Sequence, residues 1–153
     1  MALKLPSLHD TFKVVLRIDS AIGADAEAYE RYLETLDEGL LQLKEEPTRF
    51  VLRKVLPNRL YKKIQDDQLQ MKDGEMKVFF SFTSQEVRCS LIGIENPPHL
   101  PAEDRIEFKA ESDGGASEDL MSQLQAAGVV MDLYKAKQAA VGPKTGLDAL
   151  KKK

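Results

Sequence analysis

Residues Phe82 to Pro98, FTSQEVRCSLIGIENPP, constrain the fold more tightly than any other stretch, because one helix is written there with both of its ends. Thr83 and Glu86 match a capping box, in which the Thr hydroxyl takes the N3 amide and the Glu carboxylate reaches back to the N-cap amide. Phe82 and Val87 stand where a hydrophobic staple needs them. Val87, Leu91 and Ile94 recur at i, i+4 and i+7, which is one apolar helix face. Asn96 and Pro97-Pro98 stop the run, since proline supplies no amide to the ladder. The spacing therefore predicts a helix over Thr83 to Asn96 that packs a core, with Cys89 an inert, partly buried thiol between Val87 and Leu91.

The flanking segments supply a sheet and further helices. TFKVVLRID, Thr11 to Asp19, alternates with Phe12, Val14, Leu16 and Ile18 on one side, as a half-buried strand does. Asp25 caps a predicted helix over about 25–41 carrying Tyr29, Tyr32, Leu33, Leu36 and Leu40, with Gly39 at its end. Thr48 to Leu56 alternates through Phe50 and Leu52, and Pro57 closes it. Asn58 then caps a short helix with Leu60, Ile64 and Met71 inward. Asp73-Gly74 signals a turn, and Met76 to Phe82 is apolar on both sides, reading as a central strand or as the start of a buried helix. Arg105 to Glu111 alternates again, and Asp113-Gly114-Gly115 reads as a flexible break. Ser117 caps a second long helix over about 118–141, through Gly128, which costs about 1 kcal/mol relative to Ala in a helix interior.

These elements predict a single α+β domain, with short, mostly antiparallel strands packed against two long and two short helices. The organisation is an N-terminal arm (1–10), a globular domain (11–141) and a flexible C-terminal tail (142–153). At 153 residues the chain is long enough to bury a core unaided. A net charge of −3 argues against a sequence-independent grip on nucleic acid. One cysteine excludes an intrachain disulfide and a thiolate metal cluster. No apolar run reaches membrane-spanning length and no signal peptide is evident, so the expected location is the cytoplasm of the producing cell or a particle assembled there.

The residue pattern holds no phosphate-binding loop, dinucleotide fingerprint or nucleophile elbow. His9 and His99 lack ligand-spaced neighbours. The expectation is accordingly no catalytic residue, no cofactor and no metal. What remains is a basic cluster, Arg49, Arg53, Lys54, Arg59, Lys62 and Lys63, suited to an acidic protein partner because complementary charge steers association. In the tail, Leu147 and Leu150 flanked by lysines suit a segment that orders on a partner.

TRFVLRKVLPNRLYKKI (Thr48 to Ile64), VRCSLIGIENPPHLP (Val87 to Pro101) and SEDLMSQLQAAGVVMDLYKA (Ser117 to Ala136) together resemble small proteins encoded among the head and tail genes of tailed bacteriophages. Such proteins are tail assembly chaperones or minor structural components. Where these relatives often carry tryptophan before the Glu95-Asn96 pair, this chain has Ile94. The resemblance implies a non-enzymatic morphogenesis protein that binds other phage proteins of the tail or capsid and sits in the host cytoplasm or the assembled virion, as a possible homo-oligomer. The alternatives are a structural virion component (capsid decoration, neck or tail adaptor) and a small enzyme or regulatory binding protein.

Overall fold

A computed structural model describes residues 5, 7–69 and 75–141, with side-chain surroundings for all of these except 67–69, 75–82 and 141. The tail at 142–153 with Leu147 and Leu150, Met71, the Asp73-Gly74 turn, and residues 1–4 and 6 of the arm lie outside the described residues.

Three strands form one antiparallel sheet in the order β1 (Thr11–Val14), β2 (Arg49–Arg53), β3 (Leu91–Glu95). Its inner side carries Phe12, Val14, Phe50, Leu52 and Leu91, all buried. The outer side carries Lys13, Val51 and Gly93 in line, with Lys13 Nζ reaching Glu95 at 3.0 Å. Against the inner side pack α1 (Ala26–Thr35), α4 (Glu118–Ala126) and α5 (Val130–Val141) through Tyr29, Tyr32, Leu33, Leu120, Leu124 and Leu133. α2 (Asn58–Leu69) and α3 (Glu75–Ser90) fill the connection from β2 to β3 and pack on each other. Leu60 and Ile64 form a small satellite core with Cys89 and Leu56. The architecture is α+β, with the long-range pairing left to strands of four or five residues.

The predicted caps at Asp25 and Ser117 are both made: Asp25 Oδ1 accepts from Ala28 N at 2.9 Å and Ser117 Oγ from Leu120 N at 3.2 Å. Other boundaries move. β1 ends at Val14 rather than Asp19, leaving Ile18 60% exposed. The first helix stops at Thr35, because Leu36 turns left-handed (φ 58°), and a short 3₁₀ turn over Glu38–Leu41 follows. The second long helix is two helices. Gly128 takes φ 75°, a conformation glycine adopts without steric cost, and the chain turns a corner between α4 and α5. Arg17 secures that corner: its Nη2 donates to the Gly128 carbonyl at 3.1 Å and its Nε lies 3.1 Å from Asp132 Oδ2. This second approach is off line for a hydrogen bond, so charge alone holds the pair.

Thr83 to Asn96 departs furthest from the predicted single helix. Thr83 does not cap a helix; it lies inside α3, which begins at Glu75 and ends at Ser90. Residues Leu91–Glu95 are strand β3, not the helix's last turns. A capping box works only where orphan amides exist, and the preceding turns of α3 leave none at Thr83. LIGIE supplies two β-branched residues and a glycine, poor helix formers, and β2 offers them a backbone ladder. Arg105 to Glu111, predicted as a strand, makes only one isolated bridge, Ala110 to Ala116.

Candidate functional site

The six cations of the basic cluster do not form one surface. Arg49, at the start of β2, is spent on Glu38 (2.8 Å) and on Glu46. The hydrogen bond from Arg49 holds the Glu38 carboxyl below its ordinary range. Arg53 is half-buried and leans onto the turn at Asp113-Gly114, where Nη2 lies 3.4 Å from the Asp113 carbonyl and the buried Nη1 has no partner among the described residues. Lys54 is half-buried at the end of β2, its backbone amide donating to the Asp10 carbonyl at 3.0 Å.

Arg59, Lys62 and Lys63 remain exposed, and they stand together. In α2 they occupy i, i+3 and i+4, one side of a helix. The opposite side is fixed by Leu60 and Ile64, 5% and 4% exposed in the satellite core, so the cations are turned to solvent. None of the three has an ion pair among the described residues. Arg59 also lies in the first turn, where the helix dipole disfavours a cation.

Two buried polar clusters went unpredicted, because their members lie far apart in the chain. In the first, Arg88 at the end of α3 is 9% exposed in its side chain and meets Asp113, at 10%, through Nη2 at 2.6 Å. Arg88 Nη1 also donates to the Ala116 carbonyl at 3.1 Å. The hydrogen bond from Arg88 holds the Asp113 carboxyl below its usual range. Asp113 in turn accepts from Gly115 N at 2.9 Å. The 113–115 segment, expected to be a flexible break, is therefore an anchored turn. A Cβ on Gly115 would fall 2.5 Å from the Arg88 carbonyl oxygen, so only glycine lets the turn lie this close to α3. Cys89 is 2% exposed beside this cluster, and burial pushes its thiol up, away from the thiolate.

The second cluster joins α3 to α5. Lys137 Nζ donates to Ser90 Oγ at 2.7 Å, Ser90 Oγ donates to the Glu86 carbonyl at 2.7 Å, and Lys137 lies 3.5 Å from Glu86 Oε1. Burial lowers the Lys137 ammonium's pKa, against the pull of Glu86. A serine and lysine at this distance can form a nucleophile and base, but that chemistry needs a reachable hydroxyl whose proton points at the amine. Ser90 is fully buried and its proton points at a carbonyl. The arrangement is a clip between helices.

His99 faces Glu45 at 3.4 Å, both half-exposed, and no group of three metal-ligating side chains converges among the described residues. Surface concavities among the described residues include two of note. One of about 400 Å³ is lined by Arg105, Glu107, Lys109, Ser117 and Asp119 among others, and one of about 210 Å³ by Thr83, Gln125, Gly128, Val130 and Met131 with Ser84. Neither receives a residue of the two buried clusters.

No protein-family model, curated protein or solved structure gives a significant match to this chain.

The candidate site is the cationic side of α2, where Arg59, Lys62 and Lys63 stand exposed. Among the described residues no helix is long and apolar enough to cross a membrane.

Proposed function

We propose that this chain is a non-enzymatic morphogenesis protein of a tailed bacteriophage, tail assembly chaperone-like, which binds an acidic segment of another phage structural protein through α2. The observation that carries the reading is the row of three exposed cations at Arg59, Lys62 and Lys63, none with an ion pair among the described residues. Three cations on the first two turns of α2, ahead of Asp66 on the same side, favour encounter with a partner of the opposite sign, and Arg59 in the first turn is relieved when an anion approaches. The net charge of −3 favours an acidic protein segment over nucleic acid as the ligand, since a nucleic-acid grip draws on a general basic excess. The segment that resembles phage head and tail proteins, Thr48 to Ile64, includes the first turns of this helix and all three cations.

A second reading, a structural virion component, draws support from the arm, where Leu5 is 78% and Leu8 59% exposed. Exposed leucines beside a strand suit a segment that orders between subunits.

The test is a pull-down from co-expression with the products of neighbouring head and tail genes. Retention of one acidic partner, weakened by salt and abolished by combined Arg59→Glu, Lys62→Glu and Lys63→Glu, is the expected result. Unchanged capture by that variant overturns the α2 assignment. Mass spectrometry of purified particles separates the readings, since a chaperone is absent from them and a virion component is present.

A further inference from the structure

We infer that the outer edge of β1 is a self-pairing surface, on which a second copy of this chain adds its own β1 antiparallel to form a continuous six-stranded sheet. Lys54 N donates to the Asp10 carbonyl at 3.0 Å, and the β1–β2 register continues this pair through Phe12 with Leu52 and Val14 with Phe50. In an antiparallel ladder alternate residues point their backbone groups inward. Thr11, Lys13 and Val15 therefore point theirs out of the sheet.

Val15 verifies the parity. Its amide donates to Tyr32 Oη at 2.9 Å and its carbonyl accepts from Tyr29 Oη at 2.8 Å, both from α1, beyond the sheet's edge. The outward groups of Thr11 and Lys13 have no hydrogen-bond partner among the described residues, and both residues are exposed. An edge of this kind is a template for a further strand.

The geometry selects a second copy over a longer strand. At one end the tyrosine hydroxyls and α1 block the edge from Val15 onward. A partner strand must therefore leave the sheet about three residues after it enters. β1 does so itself: Ser7 to Asp10 forms a closed turn, with Asp10 N donating to the Ser7 carbonyl at 3.1 Å and Ser7 N to Asp10 Oδ2 at 3.1 Å. A two-fold axis at Phe12 places Thr11 opposite Lys13 of the second copy, and the reverse, so the outward groups of both pair fully. Opposite Thr11, Lys13 meets no like charge, and its ammonium is held over its own sheet by Glu95. The same axis brings the exposed Leu5 and Leu8 of one copy toward the exposed Ile18 region of the other. An isologous contact requires this kind of self-complementarity.

Sedimentation equilibrium on the full chain tests the inference. The wild type is expected to be dimeric at micromolar concentration. Thr11→Pro, which deletes an amide with no hydrogen-bond partner among the described residues, is expected to be monomeric with an unchanged far-ultraviolet circular dichroism spectrum. Register is read by mixing Thr11→Cys with Lys13→Cys under mild oxidation, where a mixed disulfide dimer is expected to exceed either homodimer. Hydrogen exchange of the wild type supplies a readout independent of variant folding, since the Thr11 and Lys13 amides should gain protection as concentration rises. A monomeric wild type, a dimer unaffected by Thr11→Pro, or concentration-independent exchange at these amides overturns the inference. So does strand addition by an unrelated extended peptide to a chain that remains monomeric alone.

Discussion

The hydroxyl of Tyr29 donates a 2.8 Å hydrogen bond to the backbone carbonyl of Val15, a fully buried residue just past the end of β1. Tyr32, one turn further along α1, accepts the amide of the same residue at 2.9 Å. A side chain on each turn thus replaces a neighbouring strand where the sheet stops. A buried backbone group must be paired somewhere, and here the pairing also welds α1 to the sheet. The two rings lie 5.6 Å apart and are themselves part of the core.

Tyr29→Phe and Tyr32→Phe are each expected to cost about 1–3 kcal/mol in urea unfolding, because each leaves one buried backbone group of Val15 unsatisfied. Burial pushes the Tyr32 phenol up to about 12 and raises Tyr29 further. The folded state therefore keeps these protons after the unfolded chain has lost them. The stability they supply is complete below pH 10 and is lost as pH rises from there through 12. Unfolding monitored against pH, with phenolate absorbance as a second readout, checks both points; phenolate formation by every tyrosine with a midpoint near pH 10 in the folded protein contradicts it.

Removing Arg88 is expected to be among the most damaging single changes. Arg88→Ala strands the Asp113 carboxylate in a site 10% exposed and also deletes the bond to the Ala116 carbonyl, a loss of about 3–5 kcal/mol. The Asp113 carboxyl is held low by Arg88, so its contribution is present above the unfolded value of 3.8 and disappears as pH falls through the folded one. Acid unfolding of Asp113→Asn should show a shallower slope in that range than the wild type.

Two glycines should separate conformational from steric cost. Gly128→Ala meets no atom within 4 Å, yet must hold φ near 75°, so the expected loss is about 1–2 kcal/mol. Gly128→Asn, which tolerates that region better, should recover part of it. Gly115→Ala drives a Cβ against the Arg88 carbonyl and Cys89 Cα, and a loss at the upper end of about 1–3 kcal/mol is expected. Chemical denaturation of the three variants checks the ranking.

What was legible in the sequence was whatever its own neighbours decide. The alternation of Phe12 with Val14 and of Phe50 with Leu52 predicted the buried sides of β1 and β2. Tyr29, Tyr32 and Leu33 predicted the buried side of α1, and Leu60 with Ile64 that of α2. Asp25 and Ser117 cap because capping needs only a side-chain oxygen within three residues of a free amide. Thr83 has the same local signature and fails, since what lies before it is already helix. The cationic row of α2 was half legible: its members were visible, but not that Arg49 and Arg53 are drawn off by Glu38, Glu46 and the Asp113 turn.

By itself, then, the sequence determined the class of fold, the inward side of most elements and the residues that start two helices, since these follow from periods and contacts within a few residues. Only the tertiary structure decided that Leu91–Glu95 is a strand, that Gly128 divides one helix into two, and that Arg88 meets Asp113 and Lys137 meets Ser90. Each of those outcomes depends on a partner 25 or more residues away or on a corner that only packing rewards. A five-residue segment with both helical and alternating character takes the form its neighbours can hydrogen-bond, and here β2 supplied the ladder.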